Sequence, residues 1–174
     1  MKLAKQSIRF LVCLLLALTV FSDNLSAQTI KVDSSFYPMY QTAIDSILNG
    51  KNFKYAVNFK AYNSNVQLFR DDMISQLGMS DLDADFLISN ISTKYTQEGF
   101  KFDKDFQKRF RPANIGLDVV ICFSEVAVGQ GSYAEYVLSA DVSVAVDRDQ
   151  IRHYLFFFNK DKSLKSFLVR LTSM

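Results

Sequence analysis

The sequence predicts an α+β fold: N-terminal helices packed on one face of a C-terminal antiparallel meander of four to five strands. Three observations carry this expectation. Apolar residues recur at helical spacing through most of the first half. They alternate with period two through the second half. The turns between the later runs are too short for parallel crossovers, so consecutive strands must form hairpins. Composition agrees, since 49% of the 174 residues are hydrophobic and 22% charged, too apolar for a disordered chain.

The first 27 residues stand apart. Lys2, Lys5 and Arg9 precede an apolar run from Phe10 to Phe21, and Leu25-Ser26-Ala27 supplies small residues before Gln28. This is the layout of a secretory signal peptide, with cleavage expected after Ala27. The run is shorter than the roughly 20 residues a membrane-spanning helix needs. Phe10, Leu11 and Val12 precede Cys13 where a lipoprotein signal has small residues, so Cys13 reads as an ordinary apolar position. The expected product is one exported domain, residues 28–174, periplasmic or extracellular, with no membrane span.

Cleavage changes the charge balance. Losing Lys2, Lys5 and Arg9 from 20 bases and Asp23 from 18 acids leaves 17 of each. A neutral domain is a poor electrostatic partner for nucleic acid. Cys122 becomes the sole cysteine, so no internal disulfide or cysteine-based zinc site is available.

The elements follow in order. Asp33-Ser34-Ser35 can cap a helix carrying Phe36, Tyr40, Ala43, Ile44 and Ile47, stopped by Asn49-Gly50. In Lys51–Tyr62, Phe53, Tyr55, Val57 and Phe59 alternate with mostly polar residues, which favours a strand. Asn63-Ser64-Asn65 can open a second helix with Val66, Phe69, Met73 and Leu77, closed by Gly78. Ser80 or Asp81 can cap a third with Leu82, Phe86, Leu87 and Ile91. Phe102, Phe106 and Phe110 sit four apart and predict a short fourth helix, and Arg111–Gly116 breaks the chain between its two halves. Strands are expected over Leu117–Val128, Tyr133–Val146, Ile151–Phe158 and Leu164–Ser173.

The turns suggest a register. With Val128 opposite Tyr133, Phe123 meets Leu138. With Val146 opposite Ile151, Val144 meets His153 and Ala140 meets Phe157. With Phe158 opposite Leu164, Leu155 meets Phe167 and His153 meets Val169. One face then gathers Ile121, Phe123, Leu138, Ala140, Val142, Leu155 and Phe157, and the helices are expected there. The other face holds Cys122, Asp141, Arg152 and Arg170 beside Tyr154, Phe156, Phe158 and Leu168. Those last four form an apolar patch larger than a monomer normally exposes. They are the expected interface with a second copy or a protein partner.

Candidate chemistry is sparse. His153 is the only histidine and the one weak catalytic candidate. In this register it faces away from Cys122, which disfavours a thiol–imidazole pair. No G-x-S-x-G elbow occurs, and Gly129-Gln130-Gly131-Ser132 lacks the third glycine of a dinucleotide loop. Asp81, Asp83 and Asp85 resemble the start of a calcium loop, but Phe86 holds the glycine position and Ser92 the closing glutamate position. Lys101, Lys104, Lys108, Arg109 and Arg111 read as a solvated helix face diluted by Asp103 and Asp105. Asn90-Ile91-Ser92 fits a glycosylation acceptor but lies inside an expected helix. No metal or cofactor is expected.

Helices followed by a meander with one apolar face resemble the NTF2-like cone and other helix-on-sheet α+β domains. That resemblance implies a pocket between sheet and helices, lined here by Tyr55, Phe123, His153 and Phe157. It carries no activity across. Two functions follow as expectations. One is a non-enzymatic domain binding a small apolar ligand or a protein partner. The other is a small hydrolase or isomerase using His153 with a carboxylate such as Asp118 or Glu125.

Overall fold

The computed structural model describes residues 29–51, 53–59, 66–92, 101–111, 118–129, 133–144 and 147–173. The expected signal peptide, the Asn63–Asn65 helix start and most of the Arg111–Gly116 break lie outside the described residues.

The fold is α+β, with helices preceding a mostly antiparallel sheet. In chain order the elements are β1 (Thr29–Ile30), α1 (Tyr37–Leu48), β2 (Tyr55–Asn58), α2 (Arg70–Leu77), α3 (Asp81–Ser92), β3 (Lys101–Phe102), α4 (Lys104–Arg109), β4 (Val119–Phe123), β5 (Ala127–Val128), β6 (Tyr136–Val144), β7 (Asp147–Phe158) and β8 (Leu164–Ser173). Short 3₁₀ turns, Ser34–Phe36 and Val66–Phe69, lead into α1 and α2.

Local chemistry places the helix ends. The Asp33 carboxylate accepts from the Ser35 N–H and caps the first 3₁₀ turn. Asn49 then takes the left-handed conformation, at φ 45°, and ends α1. Gly78 does the same for α2 at φ 69°. Ser80 caps α3, its hydroxyl accepting from the Asp83 N–H at 3.1 Å and donating to the Asp83 carboxylate. Asp103 caps α4 by accepting from the Phe106 N–H at 2.8 Å.

The main sheet runs β2-β4-β6-β7-β8, with β5 paired to β6 beyond the end of β4. From β4 onward the pairs are antiparallel, which is the expected meander. β2 adds to the edge, parallel to β4. A separate parallel pair joins β1 to β3.

The register differs from the one the turns suggested. Between β4 and β6, Phe123 meets Ala140 rather than Leu138. That slip of two keeps every side chain on its face. Between β6 and β7, His153 meets Asp141 rather than Val144. That slip of three is odd, so β7 turns over relative to β6. Irregularities at Ser143/Val144 and at Phe157/Phe158 insert unpaired residues, so turn counting misplaces the faces. The second shift pairs Leu155 with Leu168 instead of Phe167 and His153 with Arg170 instead of Val169.

The helices cover both faces of the sheet instead of one. On the first face α1 and α4 pack on Ile121, Phe123, Leu138, Ala140, Val142, Tyr154, Phe156 and Phe158. On the second face the Val66–Phe69 turn, α2 and α3 pack on Val137, Leu155, Phe157 and Leu168. The first core is dense with rings: Phe102 stacks on Phe106 at 4.3 Å, and Tyr40 meets Phe106 at 4.8 Å and Phe123 at 5.3 Å. The Tyr40 hydroxyl donates to the Ser124 carbonyl, which satisfies its buried polar end.

The expected interface is therefore interior. Tyr154, Phe156, Phe158 and Leu168 are each at most 7% exposed, the first three in one core and Leu168 in the other. The apolar side chains left open on β8 are Phe167, Val169 and Leu171, between 43% and 56% exposed.

Candidate functional site

The four residues expected to line one pocket are not brought together. Tyr55 packs half-buried against the first core and Phe123 lies fully buried within it. Phe157 is fully buried in the second core, and His153 lies on that same side of the sheet. The sheet itself stands between the pairs.

The structure instead draws a polar line across the second face. Asn58 pairs with Cys122, Cys122 with Asp141, Asp141 with His153, and His153 with Arg170. Five neighbouring strands each contribute one polar residue. The line lies beside the apolar rows that α2 and α3 cover. Arg170 reaches α2, its guanidinium donating to the Asp72 carboxylate.

Asp141 and His153 form the centre. Asp141 Oδ1 lies 2.7 Å from His153 Nδ1, and His153 Nε2 lies 2.8 Å from Thr172 Oγ1 on β8. Both side chains are buried. Burial holds the Asp141 carboxyl above the usual aspartate range, opposed by the hydrogen bond from His153. The carboxylate fixes the imidazole with a proton on Nδ1 and leaves Nε2 facing a hydroxyl.

That order of groups, carboxylate to imidazole to hydroxyl, is the one acyl-transfer triads use. A triad also needs a concave site beside the hydroxyl and donors aimed at a developing oxyanion. Among the described residues, neither the groove between β2 and α4 nor the one at the start of α1 is lined by any of the three. As it stands, the chain of hydrogen bonds ties β6, β7 and β8 together.

Cys122 and His153 share a face, contrary to the sequence expectation, because β7 is turned over. They still do not pair. Asp141 stands between them, and two strand spacings are about 9–10 Å. Burial raises the Cys122 thiol, the Asp141 charge adds to the rise, and a hydrogen bond with Asn58 opposes it. Such a thiol is a weak nucleophile. The other acids expected to serve His153 are elsewhere, and Asp118 accepts from the Lys54 N–H at 3.0 Å.

The acids of α3 have structural partners. Arg70 donates to Asp85 at 2.6 Å and to Asp81 at 2.8 Å, fastening α2 to α3, while Asp83 completes the helix cap. Paired with an arginine, Asp85 is held below the usual carboxylate range.

An open groove of about 500 Å³ lies between β2 and α4. Ala56, Val57 and Phe59 give it an apolar floor, and Lys104, Gln107, Lys108 and Arg111 form its polar side. A second groove, of about 540 Å³, is lined by Ser34, Tyr37, Pro38, Gln41, Thr42 and Arg109 at the start of α1. The basic cluster seen in the sequence is thus divided, with Lys104, Lys108 and Arg111 on one groove and Arg109 on the other. The signal was present as the spacing of four and then three residues, which puts these side chains on one side of α4 and its continuation. Only the fold places β2 opposite them.

No known protein family matches this chain, and no curated protein or solved structure matches it either.

Proposed function

We propose that this chain is an exported, non-enzymatic domain that binds a small, largely apolar ligand in the groove between β2 and α4. One observation carries the reading: this concavity has an apolar floor, whereas the aromatic clusters on both sides of the sheet are packed shut. Its volume falls within the range of about 300–1,000 Å³ common for small-ligand sites. The reading needs one copy of the chain.

Dodecanol, a neutral apolar probe, tests it by NMR titration. Saturable shifts at Ala56, Val57, Phe59 and Gln107, lost in Phe59→Ser, are expected. Shifts absent from these residues at probe saturation overturn it. Export is tested by fusing residues 1–27 to a reporter that is active only outside the cytoplasm. The expected mature N-terminus is Gln28, and a reporter retained inside the cell refutes this part.

A second reading, a hydrolase using His153 with a carboxylate, has one observation in its favour: the hydrogen-bonded order Asp141, His153, Thr172. It expects ester hydrolysis by the purified domain that disappears in both His153→Asn and Thr172→Val. Equal background rates in all three proteins remove it.

A further inference from the structure

We infer that the ligand of the β2–α4 groove is an anionic amphiphile: an acyl or alkyl chain ending in a carboxylate or phosphate. The inference rests on the groove being a ligand site and adds the charge of what it holds.

Three cations line one side of the groove, and among the described residues none of them makes an ion pair. What sets them apart from other exposed cations such as Lys31 and Arg152 is that all three line one apolar concavity. Some cations elsewhere are engaged. Arg70 and Arg170 are each bonded to carboxylates, and Lys162 donates to a backbone carbonyl while lying over the Phe36 ring.

Helix stability accounts for only part of the arrangement. Lys108 lies in the last turn of α4, where a cation is favoured by the helix dipole. Lys104 opens the helix, where a cation is disfavoured. Of the two acids that flank it, Asp103 is committed to the cap and Asp105 stands exposed in the first turn.

The opposite wall is apolar. Val57 and Phe59 are consecutive first-face positions of β2 and its extension, and Ala56 lies at the same edge. A chain lying along β2 covers apolar surface, while its head reaches Lys104, Lys108 and Arg111. A free inorganic anion would leave the apolar floor uncovered, and an uncharged chain would leave the cations unmatched.

The test compares dodecanoate, dodecyl phosphate, dodecanol and inorganic phosphate by calorimetry on the domain, at low and high salt. Partly solvated ion contacts predict that the two anionic amphiphiles bind about tenfold tighter than dodecanol. That advantage should shrink as salt rises. The exposed triple substitution Lys104→Gln, Lys108→Gln, Arg111→Gln should bring them down to the affinity of dodecanol with the circular dichroism spectrum unchanged. The phosphate and carboxylate arms identify the preferred head.

Equal binding of dodecanol and dodecanoate overturns the inference and leaves the groove reading intact. Inorganic phosphate binding as tightly as dodecyl phosphate also overturns it, since the apolar floor then contributes nothing. No binding of any amphiphile overturns both readings.

Discussion

Asp141 and His153, side by side on β6 and β7, share a hydrogen bond of 2.7 Å at the edge of the second core. A one-residue change in the pairing of these strands would put the two side chains on opposite faces of the sheet. The contact therefore reports the register of the central hairpin, and removing it should be felt in stability. Asp141→Ala leaves the buried Nδ1–H without its acceptor and should cost about 1–3 kcal/mol in urea unfolding. Asp141→Asn keeps an oxygen acceptor at the same place and should cost clearly less. Equal losses in the two variants would contradict the assigned bond.

The raised Asp141 carboxyl sets a pH dependence. Unfolded, the group titrates near 3.9. Folded, burial holds it higher, so between the two values the native state binds more protons than the unfolded chain. Stability contributed at this site is highest at low pH and falls as pH rises through the folded value. The difference in unfolding free energy between the native protein and Asp141→Asn should therefore decline with rising pH across the acid range. A flat difference would show that burial does not perturb this group.

Phe156 lies in the first core, stacked on Tyr154 and tilted against Phe167. Phe156→Ala should cost about 3–5 kcal/mol. Phe156→Asp should yield an unfolded or insoluble chain, because a buried charge with no partner is costlier still. A soluble, folded Phe156→Asp protein of altered oligomeric size would instead restore an exposed interface at this position. Circular dichroism and sedimentation velocity separate the outcomes.

Gly129 follows β5, its N–H donating to the Glu135 carbonyl at 2.7 Å. A Cβ at this position would collide with the Ala134 carbonyl oxygen, which is backbone and cannot rotate away. Gly129→Ala should cost about 1–3 kcal/mol and loosen the β5–β6 pairing. Faster amide exchange at Gly129 and Glu135 than at His153 would locate the damage, and unchanged stability would refute the close approach.

Much of the secondary structure was legible before the fold. Asn49, Gly78 and Ser80 act within a few residues of the chain, so their capping roles follow from local chemistry alone, whereas Asp103 stands in the sequence only as an acid diluting the basic cluster and proves to cap α4. The four-residue spacing of Phe102, Phe106 and Phe110 pointed to α4, although Phe102 belongs to β3 and Phe110 is the C-cap, so only Phe106 lies within the helix. Tyr154–Phe158 carried a further signal, since five apolar residues in unbroken sequence fit a strand buried on both faces. Strict alternation taken from the turns assigned that strand one apolar face and left its other rings exposed.

The candidate site was legible only in pieces. Lys104, Lys108 and Arg111 stood out as a basic cluster, but nothing near them in sequence names Val57 and Phe59 as their neighbours. His153 stood out as the lone histidine, but its partner was sought in Asp118 or Glu125 and is Asp141.

By itself the sequence determined the α+β order, the helix stops at Asn49 and Gly78, the cap at Ser80 and the antiparallel meander, because each depends on backbone conformation and contacts over short separations. Tertiary structure decided which side of the sheet each strand turns to that core. Two irregularities in the ladders invert the parity of pairing, and period-two logic has no defence against an inserted residue. That inversion of β7 moved Tyr154, Phe156 and Phe158 into the first core, split the supposed pocket across the sheet, and set His153 beside Asp141, while Leu168 kept its face and is covered by α2 and α3.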